Sequence, residues 1–143
     1  MPKYVDVQLG EGAKLPTKHH SGDAGWDLYV SRPTVILPGQ TVDVHTDVYV
    51  NMPARTYMRI VGRSSSLRRH DLLINEGIID NGYTGELFVC VRNLGPEPFH
   101  AKPGMRLAQA IFGVIEDVRW SEVEEVGPSS DGRGSGGFGS TGV

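Results

Sequence analysis

Between Thr41 and Val50 the apolar positions Val42, Val44, Val48 and Val50 fall on one parity with Thr46. A period of two is what a half-buried β-strand requires and what a helix cannot use. Pro38-Gly39 supplies a turn just before the run. Shorter runs of the same kind recur between clusters of Gly, Pro, Asn and Asp. Val5, Val7 and Leu9 alternate with polar residues, which predicts a first strand with one buried face. Trp26 to Val30 is strand-like with the acid Asp27 at its entrance, and Tyr57 to Val61 is a further strand candidate. Leu87, Val89 and Val91 alternate with Phe88, Cys90 and Arg92, so both faces of that strand should be at least partly covered. Leu107 to Val114 is nearly continuous in apolar residues apart from Gln109, as in a central strand. The 19 Gly and 9 Pro of the chain provide the turns that so many short strands need. One stretch, Ser64-Ser65-Ser66-Leu67-Arg68-Arg69-His70, reads as a serine N-cap and a helix of about two turns. The pattern is that of an all-β chain with one short helix: a sandwich, jelly roll or barrel.

The 143 residues suit one domain with one core. Residues 1–126 carry the strand pattern. Residues 127–143 are mostly Gly, Ser and Asp with too few apolar groups to pack, so they read as a flexible arm. A net charge of −3 gives no global positive field for a nucleic-acid backbone or an anionic membrane, so any phosphate must be held locally. The amino-terminal residues lack an apolar h-region, and no run has the length that spans a bilayer. The single Cys90 cannot form an internal disulfide and reads as a small buried side chain, which fits a reducing, cytoplasmic setting. His19, His20, His45, His70 and His100 show no metal-ligand spacing, so a zinc site is not expected. The acids between Glu116 and Glu125 read as a solvated face.

Four segments carry chemistry. Gly77 to Leu87 has strand-like edges around Asn81-Gly82, the dipeptide that most favours a tight hairpin. Its tip bears Asp80 and Tyr83; a plain hairpin with a solvated Asp and a functional site stand level on this stretch alone. Arg63 to Ser66 places hydroxyls and backbone N–H groups where a helix begins, which favours an anion, although serine caps are common without one. In Gly104-Met105-Arg106-Leu107-Ala108-Gln109 the polar Gln109 interrupts a strand, either for a ligand or for neighbouring backbone. The arm from Arg133 to Gly142 matches the dinucleotide fingerprint at Gly134, Gly136 and Gly139, but with no helix to follow the match is false. Arg133 and Phe138 among glycines and hydroxyls suit an arm that closes over an anion and stacks on a flat group. Ser64 to Ser66 lack a nucleophile elbow or an evident His partner, which argues against a serine nucleophile.

Together with Ala24-Gly25-Trp26-Asp27-Leu28, these segments stand in the order of five motifs, and the set resembles the trimeric dUTP diphosphatases, of the phage or bacterial type. The resemblance spans nearly the whole chain. It implies a jelly-roll-like β barrel assembled as a homotrimer, with active sites between subunits and each arm over a neighbour's site. It also implies hydrolysis of dUTP to dUMP and pyrophosphate, with Mg²⁺ held mainly by the triphosphate and water and Asp27 beyond the water shell. Carried over, Asp80 would deprotonate the attacking water, Tyr83 would lie against the deoxyribose, and the backbone around Gly77 and Ile79 would read the uracil edge. Ser64, Ser65 and Gln109 would hold the phosphate chain, supported by Arg63, Arg106 and Asp27. Arg133, Ser135, Gly136, Phe138, Ser140 and Thr141 would form the lid.

Ser65 stands where the family usually has Gly, Trp26 where Tyr is usual, and Asn75-Glu76-Gly77 is one residue shorter than in many members. The related dCTP deaminases share the Gly62-Arg63-Ser64-Ser65 form, but the position of their catalytic glutamate is Cys90 here. A nucleotide-sensing homologue with a regulatory protein partner is the alternative from another class.

Overall fold

The computed structural model describes residues 1–139. Ser140 and Thr141 of the expected lid lie outside the described residues. In chain order the elements are β1 (Asp6–Leu9), β2 (Trp26–Tyr29), β3 (Thr34–Ile36), β4 (Thr41–Val44), β5 (Val48–Asn51), β6 (Thr56–Gly62), α1 (Ser64–His70), β7 (Leu72–Asn75), β8 (Gly77–Ile79), β9 (Val89–Asn93), β10 (Phe99–Ala101) and β11 (Arg106–Val114). The all-β expectation with one short helix is met. Every strand pairing is antiparallel. One sheet has the order β2-β11-β6-β8, a second β4-β9-β7, and β1-β5 and β10-β3 form two-stranded ribbons.

One core joins these layers. Met58 and Ile60 alternate inward from β6, Ala108 and Ala110 from β11, and Val89 and Val91 from β9, against Leu28, Ile36, Leu72 and Leu87. Burial of such side chains stabilises the fold by about 1.5–3 kcal/mol each for the larger ones. No helix among the described residues is long and apolar enough to cross a membrane.

Several local expectations are revised. The even run from Thr41 to Val50 is two strands in different sheets, broken at Asp47, whose φ is 52°. Val44, Thr46, Val48 and Val50 are nonetheless all buried, because the kink preserves their inward parity. The first strand has no buried face within this chain: all four residues of β1 are exposed. It hydrogen-bonds β5 along one edge, and Val7 and Leu9 are left uncovered. The serines do not cap α1; Arg63 is the N-cap residue, without a side-chain cap bond, and buried Ser66 instead donates its hydroxyl to the Leu107 carbonyl at 2.7 Å. That bond ties the helix to β11.

The stretch after Ile79 is not the second arm of a hairpin. β8 pairs with β6, in the register Met58↔Ile79 to Ile60↔Gly77. Asp80, Asn81, Gly82 and Tyr83 form a turn closed by the Tyr83 N–H to the Asp80 carbonyl at 3.1 Å. Gly82 has φ +95° while Asn81 stays at negative φ. That is the pattern of a type II turn, which does not return the chain alongside its incoming strand.

Candidate active site

Three of the five segments converge on one cavity of about 470 Å³. Its lining includes Gly25, Asp27, Arg63, Ser64, Arg106 and Gln109, with His19 and Asp23 at the preceding loop. The β-sheet explains the convergence. β11 lies between β2 and β6, with Gln109 opposite Asp27 on one side and Val61 on the other. Between Arg106 and Ala108 the β2 register shifts by one residue, leaving Leu107 unpaired as a bulge. Bulges re-aim side chains at strand ends, and here Arg106 turns toward Asp27.

Asp27 holds two guanidiniums: Arg63 Nε at 3.0 Å and Arg106 Nη1 at 3.6 Å. Arg63 also donates to the Arg106 carbonyl at 3.2 Å, so the three residues fix one another. Gln109 donates its amide to the Gly62 carbonyl at 3.1 Å. The backbone explanation for its place in an apolar strand therefore holds for the amide nitrogen, and its side-chain oxygen packs against Gly25. A Cβ at Gly25 would lie 2.2 Å from that oxygen, so glycine is required there by close approach.

The structure does not bring Asp80 and Tyr83 to this cavity within one chain. Asp80 is exposed at the end of β8, and no residue of the turn lines the cavity. The turn is nevertheless firmly built. Asn81 donates its amide to the carbonyls of Pro53 at 2.8 Å and Thr56 at 2.9 Å, anchoring the turn to the start of β6. Tyr83 Oη donates to the Glu86 carbonyl at 2.8 Å, laying the ring over Gly85, where a Cβ would be 2.5 Å from the hydroxyl. Asn81 and Gly85 thus hold the Asp80–Tyr83 turn in shape, a role that turn propensity alone does not reveal.

Glu86 carries the turn into a second polar cluster. Its carboxylate meets His45 Nδ1 at 2.8 Å and accepts the Asp47 N–H at 3.1 Å. Buried Asp47 accepts from Arg32 Nη2 at 2.7 Å, Arg32 Nε at 2.9 Å and the Ser31 hydroxyl at 2.5 Å. The Arg32 and Ser31 hydrogen bonds hold its pKa down at about 2, against the opposing cost of burial. His45, Asp47 and Glu86 place ligand-type atoms within 4.8 Å of one another, a grouping that chain spacing did not show. Both oxygens of Asp47 are already occupied by Arg32 and Ser31, so the cluster is a closed ion-pair network rather than an open cation site.

In the arm, Arg133 donates through Nε to the Gly136 carbonyl and Gly134 N–H donates to Ser129 Oγ at 2.9 Å. Phe138 is fully exposed, and neither it, Arg133, Ser135 nor Gly136 lines the cavity of its own chain. Cys90 is half-buried on β9 opposite Asp43 and Asn75, and burial pushes its thiol pKa up.

This arrangement matches known proteins. The dUTPase family pattern matches residues 11–142. A deoxyuridine 5'-triphosphate nucleotidohydrolase of Clostridioides difficile is 38% identical over 137 residues, covering 94% of each chain. One of Crocosphaera subtropica is 39% identical, covering 96% of each. Among solved structures, a variant dUTPase of Staphylococcus bacteriophage 80alpha with dUpNHpp superimposes with a TM-score of 0.84 at 27% identity, covering 98% of this chain and 99% of that one. A variant dUTPase from phage phi11 of S. aureus, described with a structural Mg(II) ion, gives 0.81 at 25% identity, covering 86% and 98%. Fold, motif order and whole-length similarity agree: the chain belongs to the dUTPase family, the dUTP diphosphatases.

Proposed function

We propose that this dUTPase cleaves dUTP to dUMP and pyrophosphate in sites divided between chains, keeping uracil out of DNA and supplying dUMP for dTMP synthesis. The single observation that carries the division is the separation, within one chain, of the Asp27–Arg63–Arg106–Gln109 cavity from the Asp80–Tyr83 turn. Each half is built and neither is sufficient.

A homotrimer completes it. An apolar groove of about 810 Å³ lined by Val5, Val7, Trp26, Met58, Phe112 and Val114 is open to solvent in the single chain. Trp120 is fully exposed, and Val118, Val123 and Val126 are largely so. Apolar surface on that scale marks an interface, and a second copy supplies both the cover and the missing half-site.

In that assembly Asp80 accepts the proton of the water attacking the α-phosphorus. Tyr83 lies against the deoxyribose and leaves no room for a 2′-hydroxyl, and the backbone from Gly77 to Ile79 reads the uracil edge. Ser64 and Gln109 hold the phosphate chain from the cavity lining, with Ser65 next to Ser64 in α1 but outside that lining, and the cationic groups of the cavity are fixed by Asp27. Preorganised donors of this kind supply the larger share of catalysis, because they need no reorganisation as charge develops. Arg133, Ser135, Gly136 and Phe138, with Ser140 and Thr141, close over the bound nucleotide from a neighbouring chain.

The cavity fits a Mg²⁺ ion carried by the substrate. Each Asp27 oxygen already faces a guanidinium, and the Asp23 carboxylate accepts the His20 N–H at 2.8 Å. These acids suit a hydrated cation reached through water better than a dehydrated one bound directly. When bound, Mg²⁺ neutralises charge on the phosphates.

Incubation with dUTP, dCTP, dTTP and UTP in the presence of Mg²⁺, following pyrophosphate and ammonia separately, tests the reading. Pyrophosphate from dUTP alone is the expected result. Ammonia from dCTP would overturn it in favour of a deaminase, and dUTP binding without turnover would make the chain a nucleotide sensor with a protein partner.

A further inference from the structure

The loop that leads into β2 places a histidine on the cavity rim. Its base is zipped to β2 by two backbone bonds, Asp27 N–H to the Thr17 carbonyl at 2.7 Å and Thr17 N–H to the Asp27 carbonyl at 3.3 Å. Lys18 then lies over the Trp26 ring at 4.9 Å. The tip closes on itself: His20 N–H donates to Asp23 Oδ2 at 2.8 Å and Asp23 N–H to the His20 carbonyl at 3.0 Å. His19 sits between these two fixed points, lining the cavity, with its ring edge-on to His20 at 4.4 Å between centroids.

Charge gives that position its meaning. The acidic and basic side chains lining the cavity are Asp23, Asp27, Arg63 and Arg106, and both arginines already face Asp27. Formally these four cancel. A triphosphate therefore enters a cavity whose cations are already shared, and further donors are of value. Unlike Arg63, Arg106, Asp23, Asp27 and Gln109, His19 makes no hydrogen bond or ion pair to the protein among the described residues. Its exposed ring lines the cavity with no protein partner on its nitrogens among those residues. Gln109 packs inward against Gly25, whereas His19 is exposed at the outer edge.

Resting on the dUTPase reading above, we propose that His19 is a further substrate-binding residue of this enzyme: its imidazole donates a hydrogen bond to the terminal phosphates of dUTP, beyond the α-phosphate. The hydrogen-bonded turn that follows holds the backbone beside His19 before the nucleotide arrives, which lowers the ordering entropy that opposes the contact. A charge-assisted bond to phosphate is among the stronger polar contacts, and losing one weakens binding by about tenfold.

Calorimetric titration of dUMP and of dUpNHpp with Mg²⁺ into the unsubstituted protein, His19→Ala and His19→Gln tests this. In His19→Ala the affinity for dUpNHpp should fall about tenfold and that for dUMP should stay within about twofold. Gln, which keeps an N–H donor, should recover part of the loss. Unchanged dUpNHpp affinity in His19→Ala, or equal losses for both ligands, would overturn the inference, the second by showing a structural role for the loop. Failure of the unsubstituted protein to bind dUpNHpp would instead overturn the dUTPase reading on which it rests.

Discussion

At the scale of the residue, an acid and two glycines bear on the proposed chemistry most directly. Asp80 has no electrostatic partner among the described residues and is exposed at the end of β8, as suits a group that meets water and substrate. Asp80→Asn keeps the shape and removes the basicity. The expected outcome is dUTP binding near that of the unsubstituted enzyme with turnover reduced at least about 100-fold, read by pyrophosphate release and by calorimetry. Gly85 lies under the Tyr83 ring so closely that any side chain displaces it. Gly85→Ala should therefore erode sugar selectivity: the ratio of kcat/KM for dUTP over UTP falls by about tenfold or more. A ratio that holds while both activities drop would show that Tyr83 is not the selective element. Gly25 makes the matching contact with Gln109 at the cavity.

At the scale of the element, the Asp47 network couples the connection after β2, the β4–β5 break and the segment following the Asp80–Tyr83 turn. Asp47→Asn isolates the charge, because Asn tolerates the positive φ of this position. Hydrogen bonds to charged groups contribute about 1.5–3 kcal/mol, so the variant should be destabilised by that order in denaturant unfolding at neutral pH. The folded-state pKa of about 2 lies below the unfolded carboxylate value, so this contribution is present above pH about 4 and is lost as pH falls toward 2. The stability gap between the two proteins should narrow over that interval and stay constant from pH 5 to 7. A gap that does not depend on pH there would mean packing, not charge, is what Asp47 provides.

The same elements show how far local pattern reaches. The inward parity of Val44, Thr46, Val48 and Val50 was legible, since alternation reports which side chains meet the core. The break at Asp47 was not, because it depends on Arg32 and Ser31, more than a dozen residues away. Asp27, Arg63, Ser64, Arg106 and Gln109 were legible as motif members, and the structure brings them to one cavity. Asn81-Gly82 correctly marked a turn, but its type depends on the Asn81 amide reaching Pro53 and Thr56 rather than on dipeptide preference. The exposure of β1 had the opposite origin: the sequence carries an apolar stripe there, and one chain alone does not cover it.

At the scale of the whole molecule, the apolar groove and Trp120 are exposed in the single chain, and the proposed division of the site would have further copies of the chain cover them. On the proposed reading the arm is separable from the contacts that hold the assembly. Removal of residues 127–143 should leave the mass in solution at three chains while lowering kcat/KM for dUTP, because the lid groups are lost and the groove is kept. Dissociation of the truncated protein would make the arm structural instead. The most direct test of the divided site is reconstitution from two inactive parents. Asp80→Asn lacks the base, and Gln109→Ala lacks a phosphate contact on the cavity side. Equal amounts of the two, unfolded together, refolded and assayed for pyrophosphate release from dUTP, should regain about a quarter of the unsubstituted activity, since random assortment pairs an intact turn with an intact cavity in that share of sites. Activity of the co-refolded mixture no higher than the mean of its parents would contradict a site shared between chains.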